Sequence, residues 1–323
     1  MKKLSIIAII LSALAIAGQI FIFATQKENP DDVWAKAQQA DYKVYVPLIP
    51  DSLTLAGEKV PLDLYYVRES LDRELVSIMF GHSNTILYMK RAGRYFPVIE
   101  PILKKNGVPE DFKYLCVIES GLTNATSPAK AQGFWQFMKG TASEFGLEVN
   151  DDIDMRNNLE AATEAACRYL KGAHSRLGSW SAAAASYNCG ENGFSSRREK
   201  QMVTSYYDTR LNSETSRYVF RILAMKLIMQ NPQNYGFMLR KCDLYAPIPT
   251  KEVELRGQNV DLYRFAKQNG TNYKVLRDLN PWLVNDKVTN KSNKSYTVKI
   301  PIENGTKMRV IQKRRDTSLV TSL

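Results

Sequence analysis

From position 62 onward, apolar residues recur every three or four positions, the pattern of amphipathic helices. Val67, Leu71, Leu75 and Ile78 form one stripe, and Ile86, Met89 and Ala92 form a second. A further set, Phe96, Ile99, Ile102 and Leu103, runs to a stop at Asn106-Gly107. Val108-Pro109-Glu110-Asp111 then opens another helix, with proline and acids in its first turn. A helix begins near Thr141, and Leu159, Ala162, Thr163, Ala166 and Leu170 stripe a long one. Ser181 starts a short alanine-rich helix that ends at Tyr187-Asn188-Cys189-Gly190. The last strong helix spans Glu214 to Gln230, bounded by Asn212-Ser213 and Asn231-Pro232. No strand pattern of consequence falls between 62 and 231.

The pattern changes near Ala246. Val253 and Leu255 alternate with charged neighbours as a short strand. Leu262, Phe265 and Ala266 mark one short helix, and Val275, Leu276 and Leu279 another. Tyr296, Val298 and Ile300 alternate as a final strand before Pro301. The expected fold class is therefore mainly α. A helical domain (62–245) is followed by a separate β-α-α-β module (246–302). An extended leader (27–61), broken by Pro47, Pro50 and Pro61, precedes them. A basic tail (303–323) follows, its end from Lys313 to Leu323 read as disordered.

One position breaks the helical stripes. Phe112, Leu115 and Cys116 recur at helical spacing, and the next place in that stripe holds Glu119. Leu115, Val117 and Ile118 surround it, so desolvation should raise its pKa and keep it protonated near neutrality. A protonated carboxyl in an apolar cleft meets the requirement for a general acid. Gly121 is the expected helix stop, placing Glu119 in the last turn at the mouth of a cleft. The competing reading is a frayed helix end with Glu119 in water.

Charge and cysteines narrow the picture. The chain has 323 residues and a net charge of +11, which suits an acidic polymer, an anionic membrane or nucleic acid. Met1-Lys2-Lys3 precedes an apolar run from Leu4, so residues 1–26 read as a signal peptide or a retained signal anchor. Ala15-Ile16-Ala17 fits a cleavage site, while Leu4–Ala24 is also long enough to span a bilayer. Either way the globular part is exported to the periplasm or cell envelope, which removes the nucleic-acid reading. The four cysteines allow disulfides, but Cys116 and Cys167 sit in helical apolar patterns and read as packing residues. His82 and His174 are the only histidines, too few for a histidine-based zinc site. Asn150-Asp151-Asp152-Ile153-Asp154 lacks the spacing and glycine of a calcium loop. No metal or cofactor is expected.

Glu119-Ser120, Gly133-Phe134-Trp135-Gln136 and Ser186-Tyr187-Asn188-Cys189-Gly190 resemble, in order, the motifs of the soluble-lytic-transglycosylase family. Its fold is like goose-type lysozyme. Glu214-Thr215 with Tyr218-Val219 resembles a late motif of that family. The resemblance covers about 62–231 and implies a lysozyme-like α-helical catalytic domain that cleaves peptidoglycan glycan strands. It further implies that Glu119 is the single catalytic acid/base, and that Ser127 hydrogen-bonds near the substrate's N-acetyl group. Gln136, Tyr187 and Asn188 would line the sugar sites, with Tyr218 close to the acid. Each has a plainer reading: core aromatics for Tyr187 and Tyr218, a helix cap for Gln136, a helix end for Asn188. Phe134 replaces a leucine, Ser186 and Cys189 replace alanines, and Lys139 stands where proline is frequent. Residues 246–301 are similar to a LysM domain, a binder of N-acetylglucosamine polymers. Its deletion is expected to weaken binding to whole cell wall and to spare cleavage of short fragments. A structural appendage is the alternative for that module. For the whole chain, the alternatives are a hydrolytic lysozyme and a non-catalytic peptidoglycan-binding scaffold.

Overall fold

The stripes between 62 and 231 become helices that bury the residues forming them. The computed structural model describes residues 31, 36, 45–311 and 316–323. The expected signal segment (1–26) lies outside them, as does the leader before residue 45 apart from residues 31 and 36. Among the described residues no helix is long and apolar enough to cross a membrane.

Helix Tyr65–Phe80 turns Val67, Leu71 and Leu75 inward, together with Glu74. Helix His82–Lys105 runs on through Pro97 and Pro101 and buries Met89, Ala92, Phe96, Ile99 and Leu103. Ile86, assigned to that stripe, is instead exposed. Thr85 takes the inward place in the first turn, its hydroxyl donating to Ile78 O at 2.7 Å. Helix Ser213–Gln230 is buried around most of its girth, which marks it as the central helix. It packs against helices Tyr65–Phe80, Phe112–Ser120 and Trp180–Cys189. Asparagine and serine side chains start three of the helices between 62 and 231 by accepting a backbone N–H. Asn158 accepts from Ala161, Ser179 from Ala182 and Asn212 from Thr215. Helix Glu191–Lys200 was not foreseen, because Phe194 is its single buried residue and no stripe forms.

The end of the leader is a hairpin, Thr54–Leu55 with Glu58–Lys59. Glu58 accepts backbone N–H groups from Trp180 and Ser181 at the start of their helix. Asp111, expected to serve the Glu119 helix, lies just before its start at Phe112 and makes no capping bond. Its carboxylate instead accepts Ala56 N at 2.6 Å and Lys226 Nζ at 2.7 Å, tying hairpin to central helix.

In the C-terminal module, strands Thr250–Leu255 and Tyr296–Pro301 pair antiparallel, with Val253 opposite Val298 and Leu255 opposite Tyr296. Helices Leu262–Gln268 and Tyr273–Leu279 cover a second core containing Leu255, Leu276, Trp282, Val298 and Ile300. This β-α-α-β order is as expected, though the module's core draws on one buried residue from outside it. Ile153 of the helical domain is a member of the module's core. The tail also departs from expectation over 316–323, which are ordered against the helical domain. Val320 is buried and its N–H donates to Leu239 O at 2.8 Å. Leu323 N donates to Met229 O, and Tyr114 OH donates to Leu323 O, at 2.9 and 3.0 Å. The backbone of an apolar residue pair, hidden from a reading of net charge, decides this.

Candidate active site

Glu119 lies one residue from the end of helix Phe112–Ser120. Gly121 stops the helix with φ 59°, and its N–H donates to Val117 O at 2.8 Å. A Cβ at Gly121 would stand 2.4 Å from the Tyr88 ring, so both the dihedral and the close approach call for glycine. Beneath the last turn, Leu115, Cys116 and Val117 are fully buried. This packing fixes the helix and leaves Glu119 half-buried at its end.

Tyr218, on the central helix, donates its hydroxyl hydrogen bond to Glu119 Oε1. Arg221, one turn further along, donates Nη2 to Ile118 O at 3.0 Å. Burial raises the Glu119 carboxyl from 4.5 to about 7, opposed by the Tyr218 hydrogen bond and the Arg221 charge. The negative charge of Glu214 adds to the rise. Desolvation wins over both favourable partners, so Glu119 is largely protonated just below neutrality. Its Oε1 is taken by Tyr218, while Oε2 bonds to no described residue. Burial holds the Tyr187 and Tyr218 phenols well above their ordinary range, so both stay protonated.

A cavity of about 460 Å³ opens alongside, lined by Asn84, Tyr88, Ile118, Glu214, Arg217 and Arg221 among others. Its wall is fixed by Glu74, whose buried carboxylate accepts from Arg217 Nε at 2.8 Å and Nη2 at 3.0 Å.

The remaining predicted residues fall in two groups. Tyr187 and Asn188 end helix Trp180–Cys189 near the acid. Tyr187 OH donates to Trp135 O at 2.8 Å, and Glu119 lies near enough for its charge to act on the phenol. Asn188 Nδ2 donates to Glu214 Oε1 at 3.1 Å, and its Oδ1 accepts Thr215 Oγ1 at 2.8 Å. Ser127 and Gln136 sit on the loop 125–137. Ser127 Oγ accepts Ala131 N at 3.0 Å, and Gln136 Nε2 donates to Ala125 O and Gly133 O at 2.8 and 2.7 Å. Gln136 adopts φ 49°, so these bonds hold a backbone turn that its own side chain closes. Among the described residues no hydrogen bond joins either of them to Glu119. Tyr187, Gln136 and Asn188 thus each spend a donor on structure, and Gln136 closes a loop turn where a helix cap was the plainer expectation.

Sequence reasoning missed Arg221, Arg217 and Tyr88. Arg221 carried a signal, since it follows Glu214 by seven residues and Tyr218 by three, on one helix face. Tyr88 and Arg217 carried none. Cys116, Cys167 and Cys189 are free thiols, the first two buried. Among the described residues no group of three or more His, Cys, Asp or Glu is placed to hold a metal. Chemically, the site offers one protonated carboxyl, two neutral phenols and guanidinium groups beside a cleft.

Residues 96–209 match the family described as Transglycosylase SLT domain, and residues 251–304 the Soluble lytic transglycosylase C-terminal LysM-like domain. The chain is 29% identical over 183 residues to membrane-bound lytic murein transglycosylase D of Escherichia coli strain K12. The same figures hold for the protein of that name from Escherichia coli O6:H1. The match takes in 55% of this chain and spans 40% of the length of those relatives. The chain thus carries an SLT transglycosylase domain followed by a LysM-like domain.

Proposed function

We propose that this chain, with its SLT and LysM-like domains, is a peptidoglycan lytic transglycosylase of the cell envelope. It cleaves the β-1,4 bond between N-acetylmuramic acid and N-acetylglucosamine. The observation that carries the reading is Glu119: a carboxyl raised to about 7, held through Oε1 by Tyr218, with Oε2 bonded to no described residue. Glu119 gives its proton to the glycosidic oxygen as the bond to C1 breaks. The sugar's own N-acetyl oxygen stabilises C1, so no second protein carboxylate is needed as nucleophile. The Glu119 carboxylate then takes the C6 hydroxyl proton, O6 bonds to C1, and a 1,6-anhydro ring closes. Glu119 ends protonated, as it began.

Tyr218 orients the acid and stabilises its ionised form between the two steps. Tyr187 and Asn188 line the sugar sites together with Ser127 and Gln136 of the loop that Tyr187 touches at Trp135. The LysM-like domain contacts the glycan strand beyond the cleaved bond. The apolar start of the chain, Leu4–Ala24, supports export with a cleaved signal or a retained anchor. The test is a digest of purified peptidoglycan analysed by mass. Products ending in 1,6-anhydro-N-acetylmuramic acid, one water lighter than reducing-end products, are expected. Reducing ends alone would move the chain to the hydrolytic lysozyme reading. Binding without any cleavage would leave a scaffold.

A further inference from the structure

The segment 148–160 belongs to both hydrophobic cores. Ile153 leaves the helical domain and is 1% exposed within the core of the C-terminal module. Backbone bonds flank this plug. Asp154 N donates to Trp282 O and Val284 N donates to Asp152 O, both at 2.8 Å. The Asp152 carboxylate accepts Thr289 N at 2.8 Å and also the Thr289 hydroxyl. Ion pairs surround the seat, Lys294 with Glu148 at 3.1 Å and Lys299 with Glu160. A module that merely hangs on a linker has no use for a buried plug with paired backbone on both sides.

The same segment continues into the site. Asp154 grips Arg156 through Nε at 2.9 Å and Nη2 at 2.6 Å, and both side chains are buried. Arg156 Nη1 then donates to Lys130 O at 3.1 Å and Phe137 O at 3.2 Å. Those two carbonyls stand at opposite ends of the turn that carries Gln136. The Arg156 carbonyl oxygen lies where Gly133 faces it, 1.9 Å from the place a Cβ would take. Asn157 Nδ2 adds a bond to Gln132 Oε1 at 3.1 Å. A planar guanidinium that spans two carbonyls fixes their separation, which a flexible lysine head would not.

We propose that the C-terminal module is a positioning element of the active site. Seated on Ile153, it fixes Asp154 and Arg156, and through them holds loop 125–137, with Ser127 and Gln136, in its glycan-receiving shape. What the loop receives rests on the function proposed above. Ile153 and Arg156 are positioning residues, since neither reaches the reacting atoms. Undocking the module therefore costs catalytic efficiency even on short soluble fragments, which a tethered glycan binder would spare.

The test uses the full-length chain carrying Ile153→Asp, whose carboxylate does not fit the module's core. Lys274→Ala, at an exposed site on the module, is the control. Amide hydrogen exchange is followed over 125–137, and kcat and KM are measured on a soluble peptidoglycan tetrasaccharide. In Ile153→Asp, exchange over 125–137 should quicken by at least about 10-fold, as for a segment that has lost its tertiary hold. KM should rise by about 5-fold or more with a smaller change in kcat, the mark of lost substrate positioning. Exchange in helix Phe112–Ser120 should stay as in the wild type, and Ile153→Val should restore both readouts. If Ile153→Asp does not fold, Arg156→Lys, which keeps the charge and loses the fork, is read in the same way. Loop exchange equal to wild type, or an unchanged KM, overturns the proposal. A wild type inactive on every glycan would fail the earlier reading alone, because exchange reports the coupling without turnover.

Discussion

Glu119→Gln separates chemistry from stability, because the two readouts should move in opposite directions. The amide matches the carboxyl in size and still accepts from Tyr218, but it has no proton to give. Turnover should fall by at least about 100-fold, the low end of a general-acid contribution. Stability should respond to pH. The carboxyl is raised from 4.5 to about 7 in the fold, chiefly by burial. That rise corresponds to a penalty of up to about 3 kcal/mol on the ionised form. Below the unfolded value of 4.5 the carboxyl is protonated in both states, and it imposes no penalty. As pH rises through about 7, the folded state is forced to ionise and the full penalty is reached. The variant should therefore match the wild type below about pH 4.5, gain on it as pH rises to about 7, and hold that margin above it. Urea unfolding at several pH values measures the difference, and peptidoglycan digestion measures turnover on the same samples. Binding to peptidoglycan should survive. A stability difference that does not change with pH would refute the buried-acid argument. Full activity in the variant would defeat the mechanism, whatever the resemblance to other chains.

Other perturbations test the neighbours of that acid. Tyr218→Phe removes the donor that lowers the Glu119 pKa, so the alkaline limb of the pH–rate profile should move to higher pH. Stability should drop by about 1 kcal/mol for the lost hydrogen bond, read by thermal unfolding. Gly133→Ala places a Cβ 1.9 Å from the Arg156 carbonyl oxygen at φ 82°, so the loop must move. A loss of about 2 kcal/mol or more, with reduced turnover, is expected, and an unchanged melting temperature would count against it. Lys226→Met strands the Asp111 carboxylate among buried groups, costing about 3 kcal/mol in urea unfolding. Asp111→Asn in the same chain should recover part of that loss.

The architecture of the helical domain was written in local periodicity. A stripe such as Val67-Leu71-Leu75 specifies which face turns inward whatever lies opposite, because helix geometry sets that spacing on its own. Glu119 could be singled out for the same reason, as a carboxylate in an apolar place of one short helix. The alternation of Val298 and Ile300 likewise announced a strand of the small module. What lay beyond reach was any pairing between distant positions. Tyr218 meets Glu119 across 99 residues, and only the packing of the central helix against helix Phe112–Ser120 brings their side chains together. The size of the pKa rise depends on that packing as well, through Arg221 and Glu214 on the same central helix.

Asn150–Asp154 draws notice in the sequence only for three aspartates that fail as a calcium loop. Its decisive member is the apolar Ile153, whose burial is set by a module more than a hundred residues later. Residues 316–323 read as part of a charged tail, yet Val320 and Leu323 find backbone partners at Leu239 and Met229. Sequence determines the faces of elements because hydrophobic period and backbone geometry act within a few residues. Which faces meet, and which side chains they bring into one site, depends on contacts between segments far apart in the chain. Only the tertiary structure decides those.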